Sequence, residues 1–585
     1  MKTVKRASAK PQPVPPISPS QPAPPDATDI LIVGAGVAGL YCAYRLLQKN
    51  PNQKIAVVDR LGRTGGRLQT DHIFIKDVNG KPVEAKDEEG GMRFNFSMQE
   101  VITLSYELGL CDEIVPFGDG GPNNRICVRG RSFTNADAAA NNGAIWSELY
   151  NLKENEKGQG PGGLLGLAFK YLLAINNTPT GTDTTTPEFW QKFRLEYEYK
   201  GKKLNEWGTW AFLRDYGFSE EAMQMFLDTV GFEGPFLSSV SLGEAFQILE
   251  DFPENPKYYA YRQGFSTLPN ALVKKIKEGK NASISLGVTI ESLDKTKEGY
   301  VATWSTTPGV FPKGHHAKEA GKVSFNKVIL ALPKKALKNL TANSPLLNAT
   351  YNTNYAQFAK NLNGVLDMKL LKINLYYNQA WWEEDGLTGQ PPVMNWGSFT
   401  DLPLGSAYVF NPVYPQDVDG PAALTIYCDF NRTTYWETLQ AIGPMFSSAL
   451  QKEHDNDVPQ TIYPASEAVV EAATEQLKIL FKTNNVLPRP LLTSFRYWDG
   501  EDDFGYAYHQ WGRFVNDREV IAGLVNPVKD VYTCNESWSD MQGWVNGSLR
   551  SSELVLTKHF HTPPLVPDPK IWGSPCGVPD DGEDD

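Results

Sequence analysis

The hydrophobic pattern is clearest near the start of the chain. In "DILIVGAGVAGLYCAYRLLQKN" an apolar run at 30–33 gives way to glycines and then to apolar residues at helical spacing. It reads as a strand, a tight turn and an amphipathic helix, and a second strand, "KIAVVD", follows and ends on Asp59. Further along, "SEEAMQMFLDTV" behind Ser219 has the spacing of a capped helix. "YRQGFSTLPNALVKKIKEGK" (261–280) predicts a helix, and "SISLGVTIESL" after it a strand. "VSFNKVILALPKKAL" (323–337) predicts a core strand, and "LLKINLYY" and "AALTIYCDF" alternate as strands of a further sheet.

The first turn carries chemistry. Gly34-x-Gly36-x-x-Gly39 lies between strand and helix, and Asp59 stands twenty residues past Gly39. Gly34 permits the turn, Gly36 lets a pyrophosphate approach the backbone at the Ala38 turn, and Gly39 lets the helix pack on the strand. The helix then points unpaired N–H groups and its positive dipole end at the phosphates. Asp59 would accept hydrogen bonds from the two hydroxyls of an adenosine ribose. A lone glycine motif is weak, but strand, helix and acid in register point to dinucleotide binding.

Composition narrows the rest. The 585 residues are too many for one compact core, and a 41% hydrophobic, 11% aromatic chain with 14 Trp is that of a packed globular protein. A net charge of −12 argues against nucleic acid and anionic membranes. "ILIVGAGVAGL" is too short to span a bilayer, so no membrane is expected. Residues 1–25 are basic and then proline-rich without an apolar core, which reads as a disordered tail and favours an intracellular chain. "DDGEDD" reads as solvated acidic disorder. The 6 cysteines lack CxxC spacing, which argues against a disulfide framework and a zinc site. His315/His316 and His559/His561 lack a third ligand nearby, so no metal is expected.

After Asp59 comes "RLGRTGGRLQT", with Arg60, Arg63, Gly65, Gly66 and Arg67, and then "EEGGMRFN". A plain NAD domain has no use for more arginines and glycines there. On these motifs the chain resembles the flavin-containing amine oxidases, which carry the same glycine motif, a ribose acid and an R-x-G-G-R loop against FAD. The family usually has Glu at Asp59, a difference a small backbone adjustment would absorb. "VYTCNESWSDMQGWVNGSLRSSELVLTKHF" (531–560) resembles the family's closing motif. The resemblance implies that Glu536 bonds the ribityl or phosphate region, that Met541, Gln542 and Gly543 open a helix under the isoalloxazine, and that Val288 packs by the adenine. "FRYWDGEDDFGYAYHQW" (495–511) resembles the flavin-facing loop, so Trp498, Tyr506 or Tyr508 would close a cage opposite Trp544. That stretch holds no cysteine, so FAD is expected to be non-covalent. The family's lysine near flavin N5 is assigned to Lys360, although its spacing to "KINL" fits poorly.

The implied fold is α/β. A discontinuous FAD-binding Rossmann-like domain (26–125, 260–335 and 515–562) would join a helical domain at 137–255 and a mixed-sheet substrate domain at 336–514, with a tail at 563–585.

Arg93 decides the substrate. L-amino-acid oxidases carry G-x-M-R at this place, and Gly91, Met92 and Arg93 match it. The resemblance then implies that the arginine fork pairs with the substrate carboxylate. The alternative is that Arg93 pairs with FAD phosphates or with Glu88 or Glu89. With the amine against the Gly543 carbonyl, Cα–H would pass as hydride to the flavin. Hydrolysis would yield a 2-oxo acid and ammonia, and O2 would become H2O2. A polyamine or monoamine oxidase of the same family remains the second reading, and a flavin-binding interaction protein the third. Oligomeric state is left open.

Overall fold

A computed structural model describes residues 23–118, 121–251, 257–310, 318–383, 388–393, 396–410, 420–454, 463–500, 505–566 and 576–577. Most of the expected N-terminal tail, the end "DDGEDD" and His315/His316 lie outside these residues.

The apolar run at 30–33 becomes the middle of a sheet. Ala27–Val33 pairs in parallel with Ile55–Asp59 on one side and with Ala320–Leu330 on the other. The order continues outward through Ala282–Leu286 at one edge, and through Tyr300–Thr306 and Val288–Lys295 at the other. Val531–Thr533 adds in parallel to Ala320–Leu330, setting Leu330 beside Thr533. A central parallel strand covered on both faces has no polar side, which is why residues 30–33 do not alternate. On one face the helices Val37–Lys49, Thr267–Glu278 and Val545–Phe560 pack over Ile30 and Ile32. Leu31 and Val33 enter the core on the other face, with Trp304 and Leu337.

The second large sheet runs Leu492–Trp498, Leu370–Tyr377, Ala422–Asp429, Ser406–Val409, Trp396–Thr400, Arg125–Val128 and Arg131–Thr134. Its two faces differ. Leu371, Ile373, Leu375 and Tyr377 enter an apolar core under the helices Arg432–Ala441 and Glu467–Leu480. Lys372, Asn374 and Tyr376 alternate with them, and register sets Lys372 between Tyr427 and Arg496, and Asn374 between Thr425 and Ser494. A polar face thus forms inside the molecule.

The hairpin Thr70–Lys76/Pro82–Glu88 covers the part of this face around Lys372 and Tyr376, and a helical region meets it near Tyr427 and Phe399. Glu220–Val230 starts where the Ser219 hydroxyl accepts the Ala222 N–H at 3.1 Å, as its sequence implies. It packs with Pro161–Ile175, Pro187–Leu195, Thr209–Tyr216, Gly234–Leu237 and Leu242–Asp251 around a core rich in Phe and Trp.

Two expectations need correction. Cys111 and Cys576, 465 residues apart, form a disulfide, whereas spacing alone argued against one. Cys42, Cys127, Cys428 and Cys534 are free and buried. The helix expected to open at Met541 begins at Val545 with Trp544 as N-cap, and Met541, Gln542 and Gly543 form the turn before it. Among the described residues, no helix is long and apolar enough to cross a membrane, and no group of three or more His, Cys, Asp or Glu is placed to hold a metal ion.

Candidate active site

The phosphate loop fits a dinucleotide. A Cβ on Gly39 would stand 1.9 Å from the Gly34 carbonyl oxygen, so helix and strand meet only if residue 39 has no side chain. Gly36 is different: a Cβ there would meet only the Gly66 Cα, at 3.9 Å, leaving open space at the helix start. Gly36 caps that helix without a side-chain acceptor, and no acid occupies the first turn around Ala38, so its N–H groups are available to an anion. Gly65 N–H donates to the Ala35 carbonyl at 2.9 Å, laying the second glycine loop against the first.

Asp59 closes this end. Its carboxylate accepts the N–H groups of Ala35 at 2.6 Å and Leu61 at 2.8 Å. Burial lifts its pKa, and those N–H groups with Arg63 and Arg60 pull it back. Val288, 1% exposed, lies beside it, because Leu286 pairs with Asp59 and Gly287 N–H donates to the Leu61 carbonyl at 2.9 Å.

Arg67 and Glu536 join the two halves of the motif. Arg67 donates to Glu536 at 2.6 Å, to the Ala507 carbonyl at 3.1 Å and to Asn535 at 3.1 Å. Glu536 also accepts from the N–H groups of His509 at 2.9 Å and Gly543 at 3.2 Å, and the His509 ring lies 3.1 Å away. Burial raises the Glu536 pKa, but Arg67 and His509 outweigh it and hold it at about 2. Glu536 therefore acts within the protein as the hub that joins Arg67, His509 and Gly543. Both of its oxygens accept from protein donors. Gln542 and Gln510 line the adjacent cavity, and the amide oxygen of each is buried with no hydrogen-bond partner among the described residues. Such orphaned acceptors fit a polar ligand.

The "GGMR" segment lies across this loop. Gly91 N–H donates to the Arg67 carbonyl at 3.0 Å, and a Cβ on Gly90 would stand 1.9 Å from that same oxygen. Lys372 holds the segment from the other side. Its Nζ donates to the carbonyls of Glu88 at 2.9 Å and Gly90 at 2.7 Å, and Met92 Sδ is 3.7 Å away. Burial pushes this ammonium down to about 8 against the pull of Asp87 and Glu88. Lys360, by contrast, is exposed on the helix Tyr355–Asn363, and the lysine bonded to this segment is Lys372. The sequence pattern shows Lys372 only as one polar position of the alternating strand "LLKINLYY", and the carbonyls it meets lie 282 and 284 residues away in the chain. The signal was present, since Lys372 and Asn374 are polar at period two in an apolar strand.

Beneath Gly90 lies a buried acidic group. Glu89 is bonded by Ser494 and by Arg496 at 3.2 Å, and Asp87 accepts the Thr425 hydroxyl at 2.6 Å. Burial raises Asp87 to about 7. Burial also raises Glu89, but Arg496 and its other partners bring it below the ordinary value. Trp498 covers this group and donates its indole N–H to the Glu89 carbonyl at 2.8 Å.

Arg93 is 5% exposed and lines the cavity in an aromatic shell. Its guanidinium lies 4.7 Å from the Tyr258 ring and 5.6 Å from Phe117, and it hydrogen-bonds the Tyr408 hydroxyl. Trp544 stacks on Tyr258 at 6.3 Å. Glu88 and Glu89 are engaged elsewhere, by Thr70 and Phe265 N–H and by Ser494 and Arg496. Of the three cage candidates, Trp498 and Tyr508 line the cavity and Tyr506 does not. The Tyr508 hydroxyl donates to Asp429 at 3.2 Å, and burial lifts that carboxyl to about 7.

The cavity is about 420 Å³ and extends from Arg67, Gly91 and Gly543 past Arg93 into the helical region. Its far lobe is formed by Leu165, Phe226, Val230, Phe232, Phe236 and Phe399.

Over residues 37–555 the chain matches the family model described as flavin containing amine oxidoreductase. Achacin of Lissachatina fulica is 26% identical over 553 residues, covering 91% of this chain and 93% of achacin. Aplysianin-A of Aplysia kurodai is 24% identical, covering 91% of this chain and 90% of aplysianin-A. A solved structure of putrescine oxidase bound to putrescine is similar with a TM-score of 0.59 at 15% identity, covering 92% of this chain and 99% of that one, a likeness of fold.

Proposed function

The chain belongs to the flavin-containing amine oxidoreductase family, and from that premise we propose that it oxidatively deaminates L-amino acids to 2-oxo acids, releasing ammonia and H2O2 with O2 as acceptor. FAD, held non-covalently by the Gly34–Gly36–Gly39 loop, Asp59, Gly66 and Arg67, supplies the two-electron acceptor. The observation that carries the substrate reading is Arg93, buried on the cavity wall among Tyr258, Phe117 and Tyr408 while Glu88 and Glu89 are engaged by other groups. An arginine fork in so apolar a place suits a planar carboxylate, and aromatic rings desolvate the pair.

The chain's other residues orient the substrate. Trp544 and Tyr508 flank the α-carbon, and the Gly543 carbonyl accepts from the amine. Lys372 keeps Gly90–Arg93 in place from behind. Closure by the helical region excludes water, so each polar contact acts at low dielectric. An oxidase of plain amines needs no such anchor.

The test is Arg93→Ala, read on L-phenylalanine and phenylethylamine with flavin occupancy measured alongside. The expected outcome is a loss of roughly 10²–10³-fold in kcat/KM for the amino acid, little change for the amine, and full flavin. Arg93→Lys recovers part of the loss. Equal losses on both substrates, or flavin falling in step with activity, overturn the reading.

A further inference from the structure

The lobe beyond Arg93 is lined mainly by apolar side chains. Phe226 and Phe236 meet edge to face at 4.5 Å, and Phe232 meets Tyr427 at 4.9 Å. Tyr427 also packs edge to face on Tyr408 at 5.7 Å, and Tyr408 is the residue whose hydroxyl Arg93 bonds, all three lining the same cavity. Carboxylate anchor and apolar lobe therefore share one wall, and a substrate held by Arg93 places its side chain among these rings. Thr229, the polar residue at this lobe, turns its hydroxyl back onto its own helix, donating to the Met225 carbonyl at 2.9 Å.

Charge on the lining is one-sided. Among the described residues that line the cavity there is no Asp or Glu, and the two charged side chains are Arg67 and Arg93. Arg67 is committed to Glu536, so a second carboxylate on the substrate has no cation left to meet. A side-chain ammonium meets no carboxylate either, and Arg93 repels it. The neutral amide of Gln510 cannot replace the hydration that a buried ion gives up.

Resting on the L-amino-acid reading above, we infer that the preferred substrates are L-amino acids with aromatic or large aliphatic side chains, and that lysine, arginine, aspartate and glutamate are discriminated against. Phe226, Val230, Phe232, Phe236 and Phe399 set this preference.

The experiment compares kcat/KM of the holoenzyme for L-phenylalanine, L-leucine, L-lysine and L-glutamate, with phenylethylamine and putrescine alongside. It also measures binding of 3-phenylpropanoate and 6-aminohexanoate by calorimetry, which needs no turnover. Phenylalanine and leucine should exceed lysine and glutamate on the order of 10²-fold, and 3-phenylpropanoate should bind more tightly than 6-aminohexanoate. Val230→Glu should raise the lysine-to-phenylalanine ratio at least roughly tenfold by placing a carboxylate in the lobe. Lysine or glutamate equalling phenylalanine in the unmodified enzyme overturns this inference while leaving the L-amino-acid reading intact. Turnover of the amines with none of the amino acids overturns both.

Discussion

Arg67 and Glu536 stand 469 residues apart in the chain, yet Nη1 of one lies 2.6 Å from the other's carboxylate. The pair ties the second glycine loop to the turn that carries Gly543, so residues from both ends of the chain are held at one cavity wall.

This pair makes the site acid-sensitive. The Glu536 carboxyl is held at about 2, below its ordinary 4.5. A depressed carboxyl adds stability above its unfolded value and loses it as pH falls toward the folded one. Flavin should therefore be released as pH drops from 4.5 toward 2, read as a rise in flavin fluorescence. Glu536→Gln should hold less flavin at neutral pH and show a flatter dependence across that window. Identical acid profiles for the two proteins would count against the pair as the cause.

Lys372 and Lys360 offer a matched contrast. Lys372→Met strips the donor from two buried carbonyls and the counter-charge from Asp87, a cost on the order of 2–4 kcal/mol in denaturant unfolding. Lys360→Ala, at an exposed helix position, should fall within about 0.5 kcal/mol of the unmodified protein. Equal effects would mean that Lys372 does not support the segment leading to Arg93.

Gly36 and Gly39 separate cofactor binding from folding. Gly36→Val places its side chain where only the Gly66 Cα is near, so the protein should fold with native circular dichroism but bind no flavin. Gly39→Ala drives a methyl into the Gly34 carbonyl and should reduce the yield of folded protein. Flavin retained at full occupancy by Gly36→Val would sink the phosphate-site assignment.

The frame of the glycine loop was legible in sequence because it is local. Gly34, Gly36, Gly39 and Asp59 lie within one strand–helix–strand unit whose spacing dictates its geometry. Arg93 was legible through its two glycines, and Gly90 proves to be needed for close approach to the Arg67 carbonyl. What escaped is long-range. Lys372 reaches Gly90 only through sheet register, and Glu536 spends its oxygens on His509 and Arg67, which no spacing reveals. The Cys111–Cys576 bond joins positions 465 residues apart, beyond any local pattern. Such bonds persist in oxidising compartments, which removes support from the expectation of an intracellular chain.

That same bond closes residues 111–576 into a covalent ring. A single protease cut at an exposed connection within the ring opens it without parting the chain. The nicked protein would run as one full-length species without reductant and as two fragments with it. Because the glycine loops, the turn at Gly543 and both sheets would stay tethered, one such cut should leave flavin bound until the disulfide is reduced.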